Sequence, residues 1–148
     1  MNSEVVRVCA EGKSAEPGGP VGQDSVGAVL RFANGCFGLL EVSWLLPPSM
    51  GRSDLRLEVL GTKGAIFVQM HDRGLEVHSP EGLVRPDTIL MPKVHDHVTG
   101  ILRDEISHFL ECVLRDKQPA VSGEDGLAAL KIALALTESL RTGMQINL

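Results

Sequence analysis

The feature that most constrains the fold is a helix predicted within residues 118–148, QPAVSGEDGLAALKIALALTESLRTGMQINL. Ser122 is a good N-cap, Asp125 is the acidic partner of a capping box, and Gly143 suits a left-handed C-cap. Polar residues fill one narrow wedge of the helix, and most of the remaining circumference is Leu, Ile and Ala. A helix that is apolar over so much of its surface must pack against more than one layer of structure. The pattern therefore predicts a buried structural helix. The following residues, MQINL, are predicted to return as a strand to a sheet edge or to contact a neighbouring domain.

Antiparallel strands are predicted in the part of the chain before this helix. Asn34-Gly35 lies between two β-rich runs and is a strong hairpin signal. The run SDLRLEVLGT (residues 53–62) alternates apolar and polar side chains, and turn signals at residues 62–64, 73–74 and 81–82 separate shorter strands. The pattern predicts a meander of antiparallel strands.

The hydrophobic period changes after Pro92. Residues 100–115 place their apolar side chains on one helical stripe, and Cys112 falls outside that stripe, without an adjacent base. The opposite, polar side of this helix holds Asp104, His108, Glu111 and Arg115. Strands followed by two helices and a short strand predict an α+β fold: an open, mainly antiparallel sheet with the two C-terminal helices packed on one face.

The central strand is apolar on both sides, which predicts a partner. In CFGLLEVSWLL (residues 36–46) both alternating sets of side chains are largely apolar. Two helices cover only one face of a sheet, so the other face needs a second copy of the chain or another domain. We predict a homo-oligomer, a dimer or a tetramer, that forms through the open sheet face.

Composition excludes several function classes. The 148 residues predict a single domain, residues 1–148, and the net charge of −5 with scattered basic residues argues against nucleic acid and membrane surfaces as partners. No apolar run approaches the roughly 20 residues of a membrane helix, and the N-terminus has no signal-peptide pattern. The three cysteines are widely spaced, which predicts reduced thiols and a cytoplasmic location.

Three segments in this order resemble a known family: LRFANGCFGLLEVSW, LEVLGTKGAIFV, and the segment from EISHFLECV to the end with its P-x-V-S bridge at residues 119–122. They resemble the C-terminal domain of the Gfo/Idh/MocA oxidoreductases, over residues 24–148. The resemblance implies a two-domain enzyme in which an N-terminal Rossmann domain binds NAD or NADP and carries a catalytic lysine. The C-terminal domain then supplies one wall of the substrate pocket and the oligomer interface, and the substrates are sugars, polyols or related hydroxy compounds.

The sequence also departs from the family pattern. It has no G-x-G-x-x-G between a strand and a helix, no Glu-Lys-Pro motif, and no Asp/His helix before the first strand. No catalytic residue and no cofactor bound by this chain alone are therefore predicted; NAD or NADP is expected for the full-length enzyme. The chain is interpreted as part of a longer enzyme, with the Rossmann domain supplied in cis or in trans, or as a natural stand-alone remnant.

Two histidines are the first candidate site residues. His95 and His97, in the segment VHDHV between the sheet and the first helix, are predicted to line a substrate pocket. An H-x-H pair on a strand would point both rings the same way, and His71 or His78 from a neighbouring strand would complete a metal site. Metal binding and a solvated loop are the alternatives, and no metal is assigned.

Two further residues are candidates for substrate binding. Trp44 ends a central strand, where it would be a core or interface residue or part of a pocket wall. Arg52, in the loop after it, would meet a polar or anionic substrate or be solvated.

The functional prediction is a substrate-binding and oligomerisation domain of an NAD(P)-dependent oxidoreductase, inactive in hydride transfer by itself. The alternative is a non-enzymatic binding or assembly module derived from such a domain. A weaker third possibility is a small metal-dependent hydrolase built around His95 and His97.

Overall fold

The structure, a computed structural model, describes residues 3–14, 24–46, 54–69 and 75–148. Contacts divide the chain into two compact units: residues 1–45 with 120–148, and residues 46–119. The first unit holds strands β1 (Val5–Lys13), β2 (Ser25–Phe32), β3 (Phe37–Ser43) and β10 (Ile146–Asn147) and helix α2 (Gly123–Thr142). The second holds β4 (Arg56–Gly61), β5 (Gly64–Gln69), β6 (Val77–Ser79), β7 (Gly82–Val84), β8 (Lys93–Val94), β9 (His97–Val98) and helix α1 (Ile101–Leu114).

The first unit is a four-stranded antiparallel sheet in the order β10-β1-β2-β3, with α2 against β1 and β10. The predicted turn at Asn34-Gly35 joins β2 to β3, and Gly35 has a φ of 89°, a value that favours glycine. The C-terminal residues return to the sheet edge, as one of the two alternatives predicted, because β10 pairs with β1 through Arg7–Asn147 and Val8–Ile146.

Both predicted ends of α2 are confirmed. The Ser122 hydroxyl accepts the Asp125 N–H, and the Asp125 carboxylate accepts the Ser122 N–H at 2.8 Å, which completes the capping box. The Ser122 hydroxyl also donates to the Asp125 carboxylate at 2.9 Å, and the bonds from the Ser122 N–H and from this hydroxyl lower the pKa of Asp125. At the other end Gly143 is left-handed, with a φ of 68°.

The expected enclosure of α2 by more than one layer was wrong. Its sheet side carries the buried residues Ala135 and Ser139, which pack with Val8, Ala10 and Ala28 in the core of this unit. The other side keeps three leucines more than half exposed; these are Leu127, Leu130 and Leu134. The nearly all-round apolar pattern predicted full burial, but among the described residues of this unit the sheet alone supplies a second layer.

In its described residues, the second unit contains three separate antiparallel hairpins, β4–β5, β6–β7 and β8–β9, followed by α1. On α1, the predicted Glu111–Arg115 pair is present at 2.9 Å. The predicted stripe is exposed at Ile106, Phe109 and Val113, and the buried residue of α1 is Cys112.

The α+β class is confirmed by the antiparallel sheets and by the two helices toward the C-terminal end. The single-domain prediction for residues 1–148 stays a prediction. Among the residues that the structure describes, no helix is both long and apolar enough to cross a membrane.

Candidate functional site

One face of the four-stranded sheet is open to solvent. Strand register places its side chains in rows that cross β1, β2 and β3, and the middle row is apolar: Cys9, Val29 and Leu39. Val29 is 46% exposed and Leu39 is 77% exposed, although both side chains are apolar. The face away from α2 is therefore a surface with an unburied apolar centre. We call this surface the open face.

Charged rows of opposite sign flank the middle row of the open face. On one side the row contains Arg7, Arg31 and the exposed Phe37. On the other side the row contains Glu11, Gly27 and Glu41, and Lys13 lies one row further out. Like charges directly opposite one another on neighbouring strands are destabilising, so Arg7 and Arg31 disfavour each other in a single copy.

Sequence reasoning missed this charge pattern, because it depends on the register of three strands. Asn34-Gly35 is the local signal for the β2–β3 turn, but a two-residue loop at these positions would pair Arg31 with Gly38. The chain instead pairs Arg31 with Phe37, because the Phe32 N–H binds the Cys36 carbonyl and closes a three-residue loop. The β1–β2 register follows a connection whose residues 15–23 lie outside the described part of the chain, and it has no comparable two-residue signal.

The two candidate histidines belong to the β8–β9 hairpin. Val94 pairs with His97, and His95 and Asp96 form the two-residue turn between them, with φ values of 46° and 65°. Two positive φ values are typical of a type I′ turn, in which Asn-Gly is preferred. The prediction that His95 and His97 share a strand was therefore wrong: His97 is on β9, and His95 is at the turn. Both histidines are exposed.

The base of this hairpin is closed by hydrogen bonds. The Pro92 carbonyl accepts the Thr99 N–H at 2.9 Å and the Thr99 hydroxyl at 3.3 Å. The next residue, Gly100, packs so closely on the preceding loop that an added Cβ would lie 2.4 Å from the Ile89 carbonyl oxygen. The turn that carries His95 and Asp96 is thus held at its base by contacts on both flanks.

His78, considered above as a further metal ligand, interacts with a carboxylate instead. Its Nε2 lies 3.4 Å from Oε2 of Glu76, whose Oε1 is bound by Arg85 at 2.8 Å. The hydrogen bond from Arg85, followed by the one from His78, lowers the pKa of Glu76. In residues 3–14, 24–46, 54–69 and 75–148, no three His, Cys, Asp or Glu side chains are grouped so as to hold a metal ion; His71 lies outside those ranges.

Cys112 corrects another expectation. It has a neighbouring base, because its Sγ lies 3.6 Å from Nε2 of His108, one helical turn earlier, and it donates to the Gln118 carbonyl at 3.7 Å. The residues after α1 turn back over this side of the helix, where the Lys117 N–H binds the Cys112 carbonyl. The thiol is buried, which separates it from a ligand in solution.

The other two candidates are placed differently. Trp44 follows β3 in the first unit and is 84% exposed, so it is not a core residue, and the interface and pocket interpretations stay predictions. Arg52 lies outside the described residues. His95 and His97 belong to the second unit, so of the three candidates that the structure describes, these two share one hairpin.

Both described helix N-termini use backbone N–H groups for contacts within the protein. The cofactor pyrophosphate usually binds free N–H groups at a helix N-terminus. At α1 the Ile101 and Leu102 N–H groups are bound by the carbonyls of Ile89 and Leu90. At α2 the Ser122 hydroxyl of the capping box accepts the Asp125 N–H. The Ile101 and Leu102 N–H groups of α1 and the Asp125 N–H of α2 are thus engaged within the protein, and we derive no step through a nicotinamide for these residues.

Comparisons with known proteins agree on a family. Residues 1–148 match the family described as the oxidoreductase family, C-terminal alpha/beta domain. Myo-inositol 2-dehydrogenase of Thermotoga maritima is 31% identical over 151 residues, covering 100% of this chain and 44% of the relative. Scyllo-inositol 2-dehydrogenase (NAD(+)) of Bacillus subtilis is 30% identical over 120 residues, 80% of this chain and 33% of the relative. The chain thus spans less than half the length of these relatives.

Solved structures share the fold. A probable dehydrogenase from Thermotoga maritima has a TM-score of 0.70 and 26% identity, covering 99% of this chain and 44% of that chain. GenD2 from gentamicin A biosynthesis, solved in complex with NAD, has a TM-score of 0.78 at 21% identity, over 98% of this chain and 42% of that chain. The second likeness concerns the fold alone.

Proposed function

The chain belongs to the Gfo/Idh/MocA oxidoreductase family, as its C-terminal alpha/beta domain, and from that premise we propose that it is the substrate-binding and oligomerisation part of an NAD(P)-dependent oxidoreductase. The proposed substrate is a sugar, an inositol or a related polyol. The nicotinamide cofactor supplies hydride transfer when it is bound. The residues described here bind and orient the polyol and join the subunits.

The observation that carries the oligomer proposal is the open face with its apolar middle row and flanking charged rows. Neighbouring rows on one face of a strand are about 6.7 Å apart, and stacked sheets pack about 10 Å apart. A twofold axis that runs across the strands above Val29 would superpose the arginine row of one copy on the glutamate row of the other. An axis along the strands would instead superpose arginines on arginines.

Individual contacts support the first arrangement. Arg7 of one copy would face Glu11 of the other, because both residues are on β1, on opposite sides of the middle row. Arg31 would face Gly27, where a Cβ would meet nothing within 4 Å, so there is room for its guanidinium group. Opposite charges across an interface set its orientation more than its affinity. We therefore propose a dimer in which the stacked strands are antiparallel.

Sedimentation velocity from low to high micromolar concentration tests this dimer. We expect the wild-type chain to sediment as a dimer and the Arg7→Glu variant to dissociate more readily. The variant places two glutamates against each other at both symmetric contacts, which should raise the dissociation constant about 10–100-fold.

Two control variants make the test specific. Arg7→Glu combined with Glu11→Arg restores opposite charges and should restore the dimer. Lys63→Glu, in the exposed turn between β4 and β5, makes the same change in net charge and should leave the dimer unchanged. A monomeric wild type contradicts the proposed oligomer, and an Arg7→Glu dimer of unchanged affinity contradicts the antiparallel stack.

The substrate-binding proposal is supported by the exposed β8–β9 hairpin and by the inositol dehydrogenases among the relatives. Imidazole nitrogens donate and accept hydrogen bonds, which suits neighbouring hydroxyl groups of a polyol. His95 and Asp96 have positive φ without being glycine. Such strain persists when surrounding contacts hold the backbone, and it is concentrated at functional sites.

NMR titration of the isotope-labelled chain with myo-inositol and scyllo-inositol tests binding. We expect the ring signals of His95 and His97 to shift, and the His95→Ala/His97→Ala variant to bind roughly tenfold more weakly, since each lost hydrogen bond is worth about 0.5–1.5 kcal/mol. Cyclohexanol, which has a single hydroxyl group, serves as the control ligand, and His78→Ala serves as the control variant in another hairpin.

The same experiments separate the enzyme domain from an assembly module. A chain that dimerises but binds neither inositol would contradict polyol binding by this domain and would favour the assembly-module alternative. Unchanged affinity of the double histidine variant would place the polyol elsewhere on the chain.

A further inference from the structure

The carboxylate of Asp87 binds three consecutive backbone N–H groups of the following loop. Its Oδ1 accepts from Ile89 at 2.9 Å and from Leu90 at 2.7 Å, and its Oδ2 accepts from Met91 at 2.7 Å. Hydrogen bonds to an ionised carboxylate are stronger than those between neutral groups. A single side chain therefore holds the loop of residues 87–91 in one conformation.

The loop held by Asp87 in turn binds the chain that leaves the β8–β9 hairpin. The Ile89 carbonyl accepts the Ile101 N–H at 3.0 Å, and the Leu90 carbonyl accepts the Leu102 N–H at 3.3 Å. The same N–H groups begin α1, which has no side-chain N-cap at Gly100. The loop thus replaces a capping side chain and fixes where the helix starts relative to residues 87–91.

The hairpin with the candidate histidines lies between these two points of attachment. Its entry is the loop held by Asp87, and its exit is joined to that loop by the Pro92–Thr99 and Ile89–Ile101 hydrogen bonds. The turn residues His95 and Asp96 have positive φ values, which are uncommon for residues other than glycine, although Asp and His adopt them more often than most. A closed base is the kind of surrounding structure that keeps such a turn in place.

We propose that Asp87 is a positioning residue, which fixes the orientation of His95 and His97 for polyol binding by holding the base of their hairpin. The proposal rests on the proposed function of these histidines. Asp87 itself contacts loop N–H groups and acts through that loop. Because the bonds of Asp87 to the loop act on the hairpin that carries the histidines, its effect on binding should depend on the histidines being present.

The test combines Asp87 variants with the histidine variant. Asp87→Ala removes the bonds to the N–H groups of Ile89, Leu90 and Met91, and Asp87→Asn keeps one oxygen but turns an NH₂ group toward an N–H. In Asp87→Ala we expect amide exchange of Ile89, Leu90 and Met91 to accelerate at least tenfold, with a smaller acceleration in Asp87→Asn. The ring signals of His95 and His97 should move toward unstructured values, while those of His78 and His108, which serve as internal controls, stay unchanged.

Ligand binding supplies the readout that a merely structural role would not change. We expect Asp87→Ala to weaken myo-inositol binding about tenfold in the wild-type background and not at all in the His95→Ala/His97→Ala background, since residues that act as one unit are not additive. An equal loss in both backgrounds would overturn positioning, and so would unchanged His95 and His97 signals.

Failure of the proposed polyol-binding site can be distinguished from failure of the positioning role of Asp87. If the wild-type chain binds no inositol, the proposed function fails, and the histidine ring signals alone then decide whether Asp87 orients the hairpin. If the double histidine variant loses binding but Asp87→Ala keeps full affinity, the site stands and the positioning role is overturned.

Discussion

Gly100→Ala is expected to destabilise the second unit by about 2–6 kcal/mol, the largest effect of a single methyl group that we predict for this protein. The added Cβ would lie 2.4 Å from the Ile89 carbonyl oxygen and 2.8 Å from both the Leu90 carbonyl oxygen and the Pro92 Cδ. The two backbone oxygens cannot rotate away as a side chain would. In addition, the φ of 95° at Gly100 is a conformation that an L-residue rarely adopts.

The displaced atoms would also break hydrogen bonds. The Ile89 and Leu90 carbonyls bind the first two N–H groups of α1, so moving them leaves the start of that helix without acceptors. Part of the predicted loss should therefore appear as faster amide exchange at Ile101 and Leu102. Urea unfolding monitored by far-UV circular dichroism measures the global effect, and amide exchange along α1 locates it.

Gly126→Ala is the matched control. Gly126 lies in the first turns of α2, where an added Cβ would meet nothing within 4 Å. Alanine should stabilise that helix by about 0.5–1 kcal/mol, because glycine loses more backbone entropy on folding. Equal unfolding midpoints for Gly100→Ala and Gly126→Ala would show that the close approach at residue 100 is not a feature of the folded protein.

The predictions that succeeded depend on residues close together in sequence. The caps of α2 involve residues within four positions of one another, and the β2–β3 turn contains the predicted Asn34-Gly35 pair. The Glu111–Arg115 pair follows from helical periodicity alone. Such features are determined by local geometry, so their sequence signals are specific, and they were sufficient to predict the α+β class.

The predictions that failed depend on packing between distant segments. Leu130 and Leu134 are exposed because burial of α2 is decided by what packs against it, and the sequence of the helix does not specify that layer. The turn at His95 and Asp96 lacks the glycine that marks such turns, since its base is held by contacts from residues 87–92 and 99–101. The close approach at Gly100 has the same origin.

The candidate site likewise combines features set by residues close in sequence with features set by contacts between distant segments. His95 and His97 were found from their spacing, but their positions on the turn and on β9 follow from the β8–β9 register. The role of Asp87 was not foreseen, because an aspartate before a loop has many possible partners. The charge rows of the open face require the pairing of three strands before Arg7 and Glu11 can be related.

Ser139→Ala is expected to destabilise the first unit by about 1–3 kcal/mol, the cost of leaving a buried donor without a partner. Ser139 is 0% exposed and is fully enclosed between α2 and β1. Its hydroxyl accepts the Ala10 N–H at 2.9 Å and donates to the Met144 carbonyl at 2.7 Å. The serine thereby joins the helix, the first strand and the chain that leads into β10.

The Ala10 N–H explains why this hydroxyl matters. β10 pairs with β1 at Arg7 and Val8, and among the described residues no strand accepts the N–H groups on this edge of β1 beyond Val8. Ala10 is 3% exposed, which denies water access to that donor. Alanine at position 139 keeps the helix and removes little volume, so the predicted loss comes from the unsatisfied Ala10 N–H.

Thr137→Ala provides the comparison within the same helix. The Thr137 hydroxyl donates to the Ala133 carbonyl at 2.9 Å on the exposed side of α2, so its removal leaves no buried group unpaired. Alanine also has the higher helix propensity, and this variant should be neutral or slightly more stable. Urea unfolding measures the difference between the two variants, and the exchange rate of the Ala10 amide identifies its cause. If Ser139→Ala unfolds at the midpoint of Thr137→Ala and the Ala10 amide stays protected, then another acceptor satisfies β1 and the serine does not join strand to helix.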